Sequence, residues 1–549
     1  MAGEEPERAQ WGNQIEFLMT MISYAVGIGN IWRFPYLTYS NGGGAFLIPY
    51  VTMLALVGMP MYFMETGLGQ YCGLGPSKAW KVSPLFRGLG WASWSTTFMI
   101  SMYYNVLVAY MLFYLVASCG SELPWANCQN GNGTWATSFC RDIGANQSAY
   151  TVHYNGSCYG GELWKARTPA EDYYYNFVSG ISRGLEHVGQ LEWRLVLANA
   201  VAWMIIAAVL IRGVQSLGKI VYVTAIFPYI MLTIVLINNV LQEGAIDGIY
   251  FYIRPQWDKL LDYQIWADAA SQIFFSLSVS WGGLIAMSSY SQFSNNVHRD
   301  TLLVCLINCG TSVYAGFAIF SALGTIALAK NVTVADVATT GPELALVTYP
   351  GALATMTLSP LWAILFYIMM ALLGFGSQFS NMETVMTVLF DEVAGFHRSK
   401  ARSIAVRLTI FLFSFLVGLP FLCGSGLYLL NLIDQNAGAI PLLIIGSLEA
   451  IAIAWVYGVN RFCQDIKMMI GFKPSFYWRF LWTYITPVLL SVLTVVKFYT
   501  TITRPTTYEG FVYNDSCPYQ YPWWGSLIAW VTIMIPISLI LVGFFYTFF

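Results

Sequence analysis

Long apolar runs separated by short polar segments recur along the whole chain, at about 14–40, 43–71, 88–118, 193–212, 218–241, 264–290, 301–329, 359–390, 404–423, 426–458, 475–500 and 523–548. Each approaches or exceeds the roughly 20 residues a helix needs to cross a bilayer. The pattern predicts an all-α polytopic membrane protein with twelve transmembrane helices. An even number of spans puts both termini on one face.

Two of the runs break the rule of uniform apolarity. The first, from Ile15 to Tyr39, holds Gly27, Gly29, Asn30 and Arg33 near its middle, and an arginine there costs about 2.5 to 3.5 kcal/mol. Gly27 and Gly29 have no Cβ, so the helix can unwind there. Unwound backbone inside a bilayer persists only when buried in protein or lining a cavity. Carbonyls freed around Ala25 and Val26 would then hold a cation, and amides opening the second half near Gly29 and Asn30 would favour an anion. That is a place for a zwitterion and a metal cation. The alternative is that the glycines only let helices pack closely.

The sixth run repeats the interruption, with Gln272, Ser276, Ser278, Ser280, Trp281, Gly282 and Gly283 in mid-span. Each interrupted run is the first of five, the pattern of an inverted-repeat secondary transporter with its site between the two breaks. The expected organisation is a cytoplasmic segment 1–13, a first repeat 14–241 that includes a large extracellular loop at 120–190, a second repeat 264–458, and two further spans within 475–549. The eighth run adds Gly376, Ser377, Gln378, Ser380 and Asn381. In the seventh, Asn308 and Ser312 share one helical face. Oxygen donors without a soft ligand suit a hard cation such as sodium, although any one such side chain more often bonds a neighbouring helix.

Composition agrees. Of 549 residues 57% are hydrophobic and 10% charged, and a net charge of −2 with no basic run argues against nucleic acid. Met1 to Gln10 shows no apolar core ahead of a cleavage site, so the first span is expected to direct insertion itself. Lysines and arginines, among them Lys78, Lys81, Arg212, Lys219, Arg402 and Lys467, concentrate on the face of the N-terminus, which the positive-inside rule makes cytoplasmic. The N-x-S/T sites at Asn132, Asn146, Asn155, Asn331 and Asn514 all fall on the opposite face. A disulfide between Cys128 and Cys140 would be natural in an extracellular loop. All four histidines are assigned to polar stretches, and no Ser/His/Asp or metal-ligand set sits at one depth, so the chain is not read as an enzyme. Among the few charges within spans, Arg33 could pair with Asp434 at the outer mouth of the site, and Arg8 with Asp391 at the inner mouth. Glu65 and Glu449 receive no role.

The motifs Trp11-Gly-Asn-Gln-Ile-Glu-Phe17, Gly29-Asn-Ile-Trp-Arg-Phe-Pro-Tyr36, Asn41-Gly-Gly-Gly-Ala-Phe-Leu-Ile-Pro-Tyr50 and Gln464-Asp-Ile-Lys-Met-Met-Ile-Gly471 resemble the neurotransmitter:sodium symporter family, and the resemblance covers essentially the whole chain. Within it the chain looks most like glycine and neutral amino-acid carriers. The resemblance implies a first sodium held by Ala25, Asn30, Ser276 and Asn308 together with the substrate carboxylate, and a second held by Ser23, Val26, Leu373 and Ser377. Many members carry Asp, Thr or Ser where this chain has Gly376, so the second site lacks a side-chain oxygen. Chloride would be held by Tyr50, Gln272, Ser276, Asn308 and Ser312. Chloride-independent bacterial relatives have a glutamate at the position of Ser312, so a neutral serine implies that the anion supplies the charge.

The resemblance also places the substrate beside Gly27, Ile28, Gly29, Ile100, Tyr104, Phe275, Ser278, Trp281, Ser380 and Asn381. Monoamine carriers have an aspartate at the position of Gly27, so glycine there implies an amino acid. Trp281 implies a small one, with glycine first, although Asn381 departs from the apolar residue of glycine carriers. The implied activity is plasma-membrane symport of a small neutral amino acid with sodium and chloride by alternating access. A broader neutral carrier or a sensor that binds without carrying is the alternative.

Overall fold

The computed structural model describes residues 10–137, 140–142, 151–152, 164–165, 167–330, 333–334, 344–397, 399–503, 506–508 and 519–548. Among them, ten helices are long and apolar enough to cross a membrane, and the pair Gln14–Ala25 and Ile28–Ser40, bent by 53°, makes an eleventh span. The twelfth predicted span is the interrupted pair Tyr263–Leu277 and Gly283–Ser288, each half too short to cross alone. The two breaks therefore fall in the two runs whose composition singled them out. In chain order the bent pair is span 1 and the interrupted pair span 6.

Apolar composition on all sides is what a helix between protein and lipid requires. In span 4, Trp193–Leu210, the residues Leu195, Asn199, Ala202, Trp203 and Ile206 face inward at helical spacing, while Leu197 and Met204 are 58% and 60% exposed on the outer side. Spans 3 (Pro84–Ala117) and 8 (Ser359–Glu392) pack together at the centre, and the inner half of span 1 lies against spans 5 (Val214–Val240) and 8. Span 2 is Gly44–Cys72 and span 7 Val297–Leu328.

The tenth helix runs from Gly426 to Ile470, beyond the predicted end at 458. Hydropathy falls there because the last part, Val459–Ile470, is amphipathic, burying Phe462, Cys463, Ile466 and Met469. Gly458, at φ 100°, turns the chain between the two parts. His298, read as lying in a polar stretch, instead opens span 7 with the rings of Phe63 and Trp478 edge-on at 5.3 and 5.5 Å. The short helix Ala245–Ile253 was not predicted; it is held to span 7 by small residues, a Cβ on Gly248 coming within 2.8 Å of the Gly324 nitrogen.

Outside the spans, Cys128 and Cys140 are disulfide-bonded. Two short antiparallel strand pairs, Thr151–Val152 with Trp164–Lys165 and Thr507–Tyr508 with Tyr519–Gln520, are the sheet among the described residues. Asn132 is exposed, whereas Asn146, Asn155, Asn331 and Asn514 lie outside the described residues. Arg8 does too.

Glu383, buried in span 8, pairs with Arg407 at 2.8 Å, with side chains 2% and 12% exposed. Removing one partner strands the other charge. Arg407→Leu is expected to destabilise the protein by about 3 to 5 kcal/mol, and Glu383→Leu/Arg407→Leu to regain most of it. Thermal unfolding of the purified protein in detergent checks both; equal losses in the single and double variants would contradict the pairing.

Candidate functional site

Span 1 unwinds over two residues. Its first half ends at Ala25; Val26 leaves the helix at φ −91°, ψ 92°, Gly27 is extended at φ −117°, ψ −169°, and the helix restarts at Ile28. The Gly27 N–H, an orphan at the new helix start, donates to Asn30 Oδ1 at 3.0 Å. Span 6 unwinds after Leu277, with Ser278, Ser280 and Gly282 at φ 53°, 67° and 76°. Serine in that region costs on the order of 1 to 3 kcal/mol unless its surroundings fix it. Here Glu65 accepts the Ser280 N–H at 2.7 Å, and Thr97 donates to the Trp281 carbonyl. Glu65, which received no role from sequence, thus holds the second break open; Glu449 lies 3.5 Å from the Ser280 hydroxyl.

Between the breaks lies an oxygen-rich cluster. Asn30 Nδ2 is 2.8 Å from Asn308 Oδ1, 2.8 Å from Ser312 Oγ, 3.1 Å from Ser276 Oγ and 3.4 Å from the Asn308 carbonyl. Asn308 Nδ2 also donates to Ser276 Oγ at 2.9 Å, and the Ser276 and Ser312 hydroxyls donate to Asn308 oxygens at 3.1 and 3.2 Å, so oxygens from three spans converge in one buried, mutually hydrogen-bonded cluster. Convergent oxygens of this kind, without a soft ligand, fit a hard cation. Beside them Tyr50 donates to Ser312 Oγ at 3.3 Å. Both polar atoms of the fully buried Gln272 amide lack a partner among the described residues, which fits an ion there as well. At the end of the first half-helix, Ser377 donates to the Tyr24 carbonyl at 3.2 Å. Gly376 lies so close that a Cβ would come 2.9 Å from the Ser23 carbonyl oxygen.

A small cavity adjoins the cluster. Seven of the ten predicted substrate residues line it: Gly27, Gly29, Tyr104, Phe275, Ser278, Trp281 and Asn381. The other three, Ile28, Ile100 and Ser380, do not. Ile28 points its side chain at Gly374, leaving only its N–H near Tyr104 Oη at 3.4 Å; Ser380 turns its hydroxyl to the Gly376 carbonyl; Ile100 is fully buried. Tyr24 lines the cavity without having been assigned to it, because a tyrosine in an apolar run carries no signal of its direction.

One mouth of the cavity is covered by aromatic packing. Phe275 sits edge-on to Trp281 at 5.4 Å, with the Arg33 guanidinium 4.4 Å from its ring. Arg33 and Asp434 are not within ion-pair distance of each other; Asp434 accepts from Tyr103 at 2.8 Å. The expected pairing is therefore not made in this structure. At the end nearer the start of span 1, Trp11 donates its indole N–H to the Met287 carbonyl at 3.0 Å, and Tyr290 and Thr387 hydroxyls meet at 2.7 Å. Asp391 accepts the Gly75 N–H at 2.8 Å.

Two broken helices meeting at a polar site deep within a bundle of apolar spans define a multi-pass membrane protein of the secondary-transporter class. Residues 8–549 match the pattern that defines the sodium:neurotransmitter symporter family. The chain belongs to that family, which consists of symporters and not enzymes. It is 40% identical, over 98% of its length and 70% of the relative's, to the sodium- and chloride-dependent glycine transporter 2 of Xenopus laevis. It is 42% identical to the sodium- and chloride-dependent neutral and basic amino acid transporter B(0+) of Mus musculus, covering 97% of this chain and 84% of the relative. It is 40% identical to the sodium- and chloride-dependent creatine transporter 1 of Mus musculus, covering 96% and 81%.

A Cβ on Gly27 would lie 2.6 Å from Ser377 Oγ and 3.0 Å from Tyr104 Oη. Overpacking of this kind costs about 1 to 3 kcal/mol. Gly27→Ala is expected to lower transport about tenfold or more with surface abundance unchanged, checked by uptake normalised to surface-biotinylated protein; near-normal uptake would show that the first break has room to spare.

Proposed function

We propose that this chain is a plasma-membrane symporter, with both termini cytoplasmic, that carries a small neutral amino acid, glycine first, with two sodium ions and one chloride. The observation that carries the reading is the cluster at Asn30: buried oxygens from three spans converging beside a small cavity whose wall is the unwound backbone of spans 1 and 6. In this reading Ala25, Asn30, Ser276 and Asn308 hold the first sodium, which also meets the substrate carboxylate. Ser23, Val26, Leu373 and Ser377 hold the second. Tyr50, Gln272, Ser276, Asn308 and Ser312 hold chloride, which offsets the sodium charge.

The substrate follows from the walls. With Ser377 and Tyr104 so near Gly27, an aspartate that could meet an amine does not fit, whereas a substrate carboxylate can use the Ile28 N–H and the Tyr104 hydroxyl. Trp281 and Phe275 bound the side-chain end. One observation favours a wider range: both polar atoms of the Asn381 amide and the Trp281 indole N–H are buried at the cavity without partners among the described residues. A short polar side chain, such as that of serine, would satisfy them better than glycine. The two groups of five spans act as repeats that rock about the breaks, with Arg33 and Asp434 latching the outer mouth and Arg8 and Asp391 the inner.

Uptake of labelled glycine into proteoliposomes tests the reading. Accumulation is expected only with inward sodium and chloride gradients, with one positive charge entering per glycine, and with alanine and serine competing while leucine does not. Competition by leucine would make the chain a broad neutral carrier, and saturable binding without accumulation would make it a sensor. Ser312→Glu places a fixed carboxylate where the anion is assigned; uptake is then expected to proceed without chloride, measured with gluconate in its place, and a persistent chloride requirement would reject the anion assignment.

A further inference from the structure

Gly376 leaves the second sodium site one side-chain oxygen short, yet the space beside it is not empty. A Cβ at Gly376 would overlap the Ser23 hydroxyl oxygen. Ser23 therefore projects its own hydroxyl from span 1 into the place where a side chain on span 8 would begin. The two positions are alternatives: a hydroxyl-bearing residue at 376 and a serine at 23 do not fit together without one of them moving.

The neighbours of that hydroxyl favour one orientation. Mid-helix hydroxyls usually turn back onto the carbonyl a turn earlier, as Thr20 does on the Glu16 carbonyl at 2.7 Å. Ser23 instead bonds the Thr224 hydroxyl of span 5 at 2.8 Å, and Thr224 in turn lies 3.4 Å from the Val221 carbonyl. A carbonyl can only accept, so the chain has one satisfying direction: Ser23 O–H to Thr224 Oγ1, and Thr224 O–H to the carbonyl. With its proton sent outward, Ser23 Oγ keeps both lone pairs, and donation along such a chain strengthens them as acceptors. Ser23 and Thr224 are both buried, so water does not compete for these bonds.

We propose that the Ser23 side-chain hydroxyl, not only its backbone carbonyl, is a ligand of the second sodium, with Thr224 its positioning residue on span 5. The oxygen missing at Gly376 is thereby supplied from the opposite helix. The proposal rests on the symporter reading above. It also ties span 5 to the ion site, because loss of Thr224 would free the Ser23 proton to turn back into the site.

The test is the sodium dependence of glycine uptake in proteoliposomes at fixed chloride, with the chloride dependence at fixed sodium as its control. Ser23→Ala is expected to raise the sodium concentration for half-maximal uptake about tenfold, as for a lost bond to a charged group, and to leave the chloride curve in place. Thr224→Val is expected to shift the sodium curve in the same direction by about threefold, a smaller effect because the ligand itself remains. Thr224→Ser, which keeps the hydroxyl, should leave it unmoved. In Ser23→Ala/Gly376→Ser a hydroxyl is returned from span 8, with the small shift needed to clear the carbonyl of residue 23, and the sodium curve should move back toward the original. An unmoved sodium curve in Ser23→Ala overturns the assignment. Equal curves for Thr224→Val and Thr224→Ser overturn the role of span 5. Sodium-independent uptake by the unaltered protein would instead overturn the symporter reading itself.

Discussion

The structure depends on the side-chain amide of Asn30. Its oxygen accepts the first free N–H of the restarted helix, at Gly27, and its nitrogen reaches Ser276 on span 6 and Asn308 and Ser312 on span 7. One group thus completes the backbone of one broken helix and fastens it to the segment that leads into the other break. In a bilayer no water is at hand to satisfy unwound backbone, so such a helix is tolerable only where side chains do so. Without this tie the polar cavity would have no fixed wall.

The second break is held by a different device. Ser278 and Ser280 sit in left-handed backbone, and Glu65, buried at 1% exposure, accepts the Ser280 amide. A carboxyl group on span 2 and an amide on span 1 therefore perform matching tasks, each satisfying an orphan N–H of an unwound segment. The pocket is walled by the results: backbone at Gly27 and Gly29, aromatic rings at Phe275 and Trp281, and hydroxyls at Ser276 and Ser377. The mouth beside Arg33 is covered by Phe275 while Arg33 and Asp434 stay apart, and the end nearer the start of span 1 is fastened by Trp11 and Tyr290.

How much of this was legible in the sequence depends on the kind of signal. Runs of apolar residues located the spans, and glycines beside polar residues located both breaks, because a bilayer makes such residues costly anywhere else. The grouping of Asn30, Ser276, Asn308 and Ser312 was legible through the family motifs, although no periodicity could have brought three separate spans together. Directions of side chains were not legible. Ile28 and Ser380 belong to the expected pocket by position but face span 8 and their own helix. Glu65 looked like an unassigned charge until its partner, a backbone amide 215 positions away, was visible. Glu383 became intelligible only once Arg407 was found beside it. The predicted end of the tenth run falls at the turn made by Gly458, and hydropathy does not report the amphipathic helix Val459–Ile470 that follows it because that helix is not uniformly apolar.

The central claim is that the Asn30 cluster binds a cation that travels with the amino acid. The most direct measurement is the entry of radioactive sodium into proteoliposomes holding the purified protein, with and without external glycine. The account predicts that glycine stimulates sodium entry in fixed proportion to its own uptake, and that Asn30→Ala removes the stimulated component. Glycine uptake that proceeds while sodium entry stays at its glycine-free rate would contradict it.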